Sequence, residues 1–333
     1  MNLTRYANKL NDDNAPTEPG PALAREEKRE RLLALLSFLD AEGYEFIAPT
    51  PATHARVIAR PDRKEARTLV DALGWSLPVA PGLLEPELER ALVEAEVLAA
   101  RADGLLMPCL RVSRVEGSLF WHSAFPTDAR DSVFLGPDSC RFAQLILAEM
   151  PRDPRTILDY GAGAGVGGIV AARRCNNAQL LIADINPKAL FLASINAEHA
   201  GVSHQLIESA RPSEIEGAFD LVVTHPPFMI DADRRAYRDG GDLYGGQLSL
   251  EWALEGAALL APAGWLVMHT GASIVRGKDV LFDALRSRLR TSELSLSYRE
   301  LDPDIFGDEL DNPCYIDVDR IAAVGAVIER APT

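Results

Sequence analysis

The sequence predicts an α/β protein: a largely parallel sheet with helices on both faces, preceded by a smaller, mainly helical unit of winged-helix type. Three observations predict it. From about residue 130, short apolar runs alternate with helical patterns at the spacing of strand–helix–strand units. The first of these runs ends in a glycine repeat, Gly161, Gly163 and Gly165, which opens a helix. Before residue 130 the pattern is helical, apart from two adjacent strand-like runs.

In chain order, residues 1–22 are rich in Asn, Asp and Pro and read as a flexible tail. Leu32, Leu33, Leu35, Leu36 and Leu39 recur at helical spacing and predict a helix over 22–46, ended by Gly43. Further helices are predicted over 63–73, closed by Gly74, and over 85–101, with Pro86 in the first turn. Apolar runs 105–115 and 118–123, split by Glu116-Gly117, predict a hairpin. Together these make a substrate-recognition domain over 23–128. The second domain, 129–333, starts with a short strand at 131–135 and a helix at 139–150. Strands are then predicted at 156–160, 179–184, 206–208, 221–224 and 265–270, with helices at 166–174, 187–200, 248–260 and 279–289. Two last strand-like runs, 294–301 and 321–329, have no helix between them and predict a closing antiparallel pair.

Composition bounds the function. At 47% hydrophobic and 25% charged, the 333 residues have the ordinary globular balance, which excludes a wholly disordered chain. No apolar run is long enough for a membrane span, and the start lacks a secretory signal, so a cytoplasmic location is expected. The four cysteines never form Cys-x-x-Cys, and the histidines show no metal spacing. Free thiols and no metal are expected. A net charge of −15 argues against strong non-specific nucleic-acid binding but leaves room for a local basic groove.

The segment Asp159-Tyr160-Gly161-Ala162-Gly163-Ala164-Gly165 follows an apolar run and precedes a helix. Such a turn lets a ligand approach bare backbone at the carboxyl end of a strand, where helix-start amides point at it. A dinucleotide-type register, Gly163, Gly165 and Gly168, also occurs, but it begins two residues late and ends well inside the helix. Asp184, with Ile185 beside it, closes the next strand. Its two carboxylate oxygens suit the two hydroxyls of an adenosine ribose, and capping of the following helix is the competing role. Glu208 and Ser209, one strand on, stand where an adenine amino group could be met, or else form a solvated loop.

The strand at 221–224 is followed by His225-Pro226-Pro227-Phe228. Two prolines fix φ and remove two amide hydrogens, leaving carbonyls as acceptors, and an aromatic ring suits a planar substrate. The glycine segment resembles motif I of class I S-adenosyl-L-methionine (SAM) methyltransferases, and His225-Pro226-Pro227-Phe228 resembles the Asn/Asp-Pro-Pro-aromatic motif of their amino-directed members. Residues 134–139 and 260–265 are similar to flanking segments of the small-methyltransferase superfamily, which includes release-factor glutamine and rRNA guanine-amine methyltransferases. The resemblance covers about residues 130–330. It implies a Rossmann-like seven-stranded core and SAM as cofactor. Gly161, Gly163 and Gly165 would pass its amino-acid part, with Asp159 helping to hold the ammonium.

The resemblance further implies N-methylation of a planar amide or amine on a protein or structured RNA, at a site formed by His225, Pro226, Pro227 and Phe228. Here His replaces the usual Asn or Asp. Neutral imidazole can accept a hydrogen bond or take a proton, so a ring nitrogen, an amine and a hydroxyl all stay open as nucleophiles. The glycine- and arginine-rich stretch 230–246, with Arg234, Arg235, Tyr237 and Tyr244, is expected to be a substrate loop that closes on binding. The acidic stretch 301–315 is a second candidate. Three other readings remain. They are a methyltransferase of a small metabolite (N- or O-directed), an NAD-dependent oxidoreductase on the same fold, and a binding module without catalysis.

Overall fold

A computed structural model describes residues 24–289 and 293–332. The expected tail, 1–22, lies outside the described residues. Helix α1 (Arg25–Ala41) buries Leu32, Leu35, Leu36 and Leu39, the stripe read from the sequence. It ends three residues before Tyr44, which is buried. Here Phe46 gives its carbonyl to Arg114 N (2.8 Å) instead of continuing the helix. Helix α2 (Pro51–Ile58), missed by the sequence reading, starts at Thr50, whose side chain accepts from Thr53 N. The predicted helix over 63–73 shrinks to α3 (Leu69–Leu73), because Thr68 and Asp71 close a capping box and fix the start there.

Helix α4 (Pro86–Glu94) is likewise shorter than predicted. Glu96 adopts φ 56°, which breaks the helix, and β1 (Leu98–Ala100) pairs with β2 (Leu106–Pro108). The hairpin forms as β3 (Leu110–Val115) and β4 (Ser118–Ser123), turning through Glu116 and Gly117 with φ 47° and 80°. It is no projecting wing. Every residue of β4 is buried, and the Trp121 backbone is clamped by Asn196, whose Oδ1 accepts from Trp121 N (2.8 Å) and whose Nδ2 donates to Ala164 O (2.9 Å). The expected strand at 131–135 is extended chain without a ladder, tied to β4 by Ser123 N donating to Val133 O (3.0 Å).

The remaining elements are α5 (Pro137–Glu149), β5 (Thr156–Tyr160), α6 (Val166–Ala172), β6 (Gln179–Asp184), α7 (Pro187–His199), β7 (His204–Glu208), β8 (Phe219–Thr224), α8 (Gln247–Ala258), β9 (Leu260–Val275), β10 (Lys278–Asp279), α9 (Val280–Arg288), β11 (Leu294–Asp302) and β12 (Val318–Arg330). The sheet order is β7-β6-β5-β8-β9-β12-β11, parallel from β7 to β9, with β12 antiparallel to both neighbours. The predicted closing pair therefore forms. β9 is far longer than the expected 265–270, because the Pro262-Ala263-Gly264 turn is absorbed as an irregularity against β8, with Ala263 at φ 60°. Strand order reverses between β5 and β8, and the crevice for a ligand opens at their carboxyl ends. One buried apolar cluster runs from Leu32 through Trp121 and Ile157 to Val327, so the core passes unbroken across the expected boundary at 128/129. Among the described residues no helix is long and apolar enough to cross a membrane.

Candidate active site

After β5 the chain turns through Gly161, Gly163 and Gly165 at φ 67°, 55° and 83°, conformations that strain any residue with a Cβ. Gly161 N and Ala162 N both donate to Ala183 O (2.9 and 3.1 Å), pinning the loop to β6. A Cβ on Gly161 would lie 2.4 Å from the Trp252 ring, whereas one on Gly163 would meet nothing nearer than Phe134 O at 3.9 Å. Gly163 thus leaves its side open. Gly168 belongs to a different contact: a Cβ there would lie 2.7 Å from Asp159 Cβ. The Gly163–Gly165–Gly168 register therefore packs the helix onto its own strand.

Asp159 is buried beneath the loop, and its Oδ2 accepts from Gly168 N (2.7 Å). Burial pushes its carboxyl up to about 7, with the Gly168 amide pulling the other way. It is not part of the cavity wall. Asp184 is. Its Oδ2 accepts from Gly163 N and its Oδ1 from Asn186 N (2.8 Å each), which uses one of two lone-pair directions on each oxygen. Burial raises its pKa while the backbone amides oppose the rise. The capping role falls to Asn186, whose side chain accepts from Lys188 N. Ile185 is 53% exposed at the same strand end and offers an apolar face to the cavity. Glu208 is exposed and Ser209 is turned inward to Arg211 O and Glu214; Ala210, not either of them, reaches the wall.

These residues surround a cavity of about 520 Å³ at the carboxyl ends of β5, β6 and β8, within the range of small-molecule sites. His225, Pro226, Pro227 and Phe228 form the wall after β8. His225 stacks near-parallel to Phe228 (centroids 5.9 Å, 7°) and edge-on to Phe142 (5.5 Å). Burial lowers its pKa to about 4, so the ring is neutral at pH 7: an available hydrogen-bonding group and a weak base. Phe228 is only 9% exposed and lies on the backbone of Gly271, where a Cβ would stand 2.2 Å from its ring. It packs with Met229, Ile305 and Tyr315 and gives the cavity one part of its surface rather than a free face.

The 230–246 stretch is bonded down. Met229 N donates to Arg238 O (3.1 Å) and Gly240 N to Met229 O (2.7 Å). Asp231 pairs with Arg235, and Tyr237 Oη donates to Thr127 O. Arg235 and Tyr237 line the cavity. Arg234 is exposed outside it, and Tyr244 packs with the Phe228 cluster instead. From the 301–315 stretch only Phe306 reaches the wall, while Tyr315 Oη accepts from Ile230 N (2.7 Å).

Sequence reading missed the far wall: Ala52 and Ala55 of α2, and the run Phe125, Pro126, Thr127 and Asp128. The Thr50-Pro51 cap is a local signal for α2, but none marks the 125–128 run, which long-range packing of the N-terminal unit brings there. It also missed His269, on β9 behind His225.

The residues present fit a nucleoside-bearing ligand. A bare left-handed loop stands open at Gly163, a carboxylate with free lone pairs at Asp184, and an exposed aliphatic side chain at Ile185. In agreement, residues 132–237 match the family described as methyltransferase small domain. The chain is 29% identical over 207 residues to a release factor glutamine methyltransferase of Deinococcus radiodurans, covering 60% of this chain and 72% of that protein. It is 39% identical over 82 residues to ribosomal RNA small subunit methyltransferase C of Haemophilus influenzae, covering 25% of this chain and only 24% of that protein. The solved T. thermophilus 16S rRNA N2 G1207 methyltransferase matches 77% of this chain and 64% of its own length at 15% identity, with a TM-score of 0.43. By these likenesses residues 132–237 are similar to a methyltransferase small domain, and the chain reads as a SAM-dependent methyltransferase.

Proposed function

We propose that this enzyme N-methylates a planar amide or amine on a protein or RNA, with SAM as donor. One observation carries the reading. The His225-Pro226-Pro227-Phe228 segment and the Gly163–Asp184 corner wall the same cavity at the strand-order switch point. When bound, SAM supplies an electrophilic methyl carbon on a sulfonium. The chain's own part is binding, alignment and exclusion of water. Gly163 leaves room for the amino-acid portion, Asp184 takes the ribose hydroxyls, and Ile185 and Ala210 flank the base. Pro226 and Pro227 present carbonyls to substrate N–H groups, and neutral His225 adds a polar contact without competing for protons. Tyr237 and Arg235 bring the substrate loop over the cavity.

Residues 23–128 are the substrate-recognition unit in this reading, since α2 and the 125–128 run complete the wall. Arg56 of α2, paired with Asp308, and Arg60, Lys64 and Arg67 after it are all exposed and outnumber the exposed Asp62 and Glu65 among them, a local basic segment in a chain of net charge −15. Such a segment supports RNA as one of the two substrate classes. The deciding experiment supplies methyl-labelled SAM to cell extract depleted of the enzyme, with ribonuclease and protease arms. Label lost only to ribonuclease identifies RNA, and label lost only to protease identifies protein. His225→Ala should cut turnover at least tenfold with SAM affinity unchanged. No transfer to either class would refute the proposal.

A further inference from the structure

His269 reaches the site from the neighbouring strand. Its Nδ1 is 3.4 Å from His225 Nε2, and the two rings meet edge-on, centroids 4.7 Å apart at 76°. His269 is fully buried and its Nε2 has no hydrogen-bond partner among the described residues. No protein group bonds His225 Nδ1 among them either, yet that nitrogen is not one of the sealed, unpartnered atoms, which leaves it on the cavity side. Burial keeps both imidazoles neutral at pH 7, and Arg141 adds to this for His269.

Two neutral rings can share the 3.4 Å contact in two ways. If His225 Nε2–H donates, His269 must carry its own hydrogen on Nε2, which leaves a buried N–H with no acceptor. If His269 Nδ1–H donates, only a lone pair is left unpaired at His269 Nε2. An orphaned buried N–H is the rarer of these two defects in folded proteins. The second arrangement therefore prevails, and it places the remaining hydrogen of His225 on Nδ1.

We propose that His269 is a positioning residue that fixes His225 as its Nδ1–H form, so that the cavity receives a hydrogen-bond donor from His225. The consequence for substrate choice rests on the methyl-transfer reading above. A donor there selects a planar group that carries an acceptor next to its nucleophilic nitrogen. A carboxamide, or the edge of a base with a carbonyl or ring nitrogen beside an amine, has that pattern. The Pro226 and Pro227 carbonyls then take the N–H side. A simple alkylamine has no acceptor to offer His225 and is disfavoured.

The test is the tautomer itself, read from two-bond nitrogen–proton correlations of the full chain labelled with ¹⁵N-histidine, assigned by His225→Gln and His269→Gln. The expected result at neutral pH is a protonated Nδ1 and bare Nε2 at His225. The reverse pattern overturns the proposal. His269→Phe keeps the bulk and removes the donor. It should shift His225 towards the Nε2–H form and raise KM for the methyl acceptor about tenfold, the worth of one hydrogen bond, with SAM affinity unchanged. His269→Asn, which can still donate, should recover part of that loss. A His225 tautomer unmoved by His269→Phe also overturns the proposal. If His269→Phe does not fold, the assigned wild-type spectrum still decides. Failure of the methyl-transfer reading looks different: no labelled product from the wild type, whatever the spectrum shows.

Discussion

Asp184 offers the sharpest test of how the cofactor is held. Replacing it with alanine removes both carboxylate oxygens from the cavity wall. Each already accepts one backbone amide, from Gly163 and Asn186, and keeps one lone pair for a ribose hydroxyl. A hydrogen bond to an ionised group is worth about 1.5 kcal/mol at the low end, so two lost bonds cost about 3 kcal/mol. At 1.4 kcal/mol per tenfold, SAM affinity should fall roughly 100-fold. Asp184→Asn keeps one oxygen and should lie between, about tenfold weaker. Titration calorimetry with SAM measures both, and a thermal melt without ligand separates loss of binding from loss of the fold. The same titration with NADH should show no binding to the wild type. An Asp184→Ala affinity within twofold of wild type would refute the ribose role.

Asp159 gives a pH signature. Folded, its carboxyl is raised from 3.8 to about 7, so between these values the folded chain holds a proton that the unfolded chain has lost. Its contribution to stability is therefore fully present below about pH 4 and declines as pH rises to 7. Asp159→Asn keeps an acceptor for Gly168 N and does not ionise. Relative to wild type it should gain roughly 4 kcal/mol between pH 4 and 7 in urea midpoints; a constant offset would contradict the burial argument. Because Asp159 is off the cavity wall, SAM affinity of this variant should stay within about twofold, and a large loss would restore the ammonium-holding role. Gly161→Ala forces a side chain to left-handed φ and into Trp252, so it should lower the melting temperature, at about 2 kcal/mol or more. Gly163→Ala has room, so its effect should appear in SAM titration rather than in the melt.

Features that depend on short stretches of chain were legible in the sequence. The Leu32–Leu39 stripe, the Glu116-Gly117 turn, the glycine loop and the strand ends at Asp184 and His225 each carry their own local cause. The errors lie where distant contacts override local preference. The helical pattern over 85–101 gives way at Glu96 because the following residues find a strand partner in Leu106–Pro108. Ser209 has the position of a ligand contact along the chain, but its hydroxyl is taken by Arg211 O and Glu214. The motif assigns Asp159 to the ligand; in the structure its Oδ2 accepts from Gly168 N, a bond no local pattern reveals. Thr50-Pro51 was a readable cap, and overlooking it concealed α2 and with it one wall of the cavity.

That wall explains why the chain needs its first hundred residues even though the methyltransferase core is built later. Residues of α2 and the 125–128 run form one wall of the cavity, and Tyr237 Oη donates to Thr127 O of that run. The cover is not a separately hinged lid. Trp121 sits in the same buried cluster as the sheet, and Asn196 bonds both the Trp121 backbone and Ala164 in the glycine loop. Any substrate that moves the cover strains the hydrogen bonds that set the loop. The 230–246 stretch is tied down as well, by Tyr237 on Thr127, by Arg238 on Glu309, and by Ile230 and Tyr244 packed against the Phe228 cluster. Cover and stretch thus meet at the Tyr237–Thr127 contact, so in the proposed reading the space against Pro226 and Pro227 is set by both.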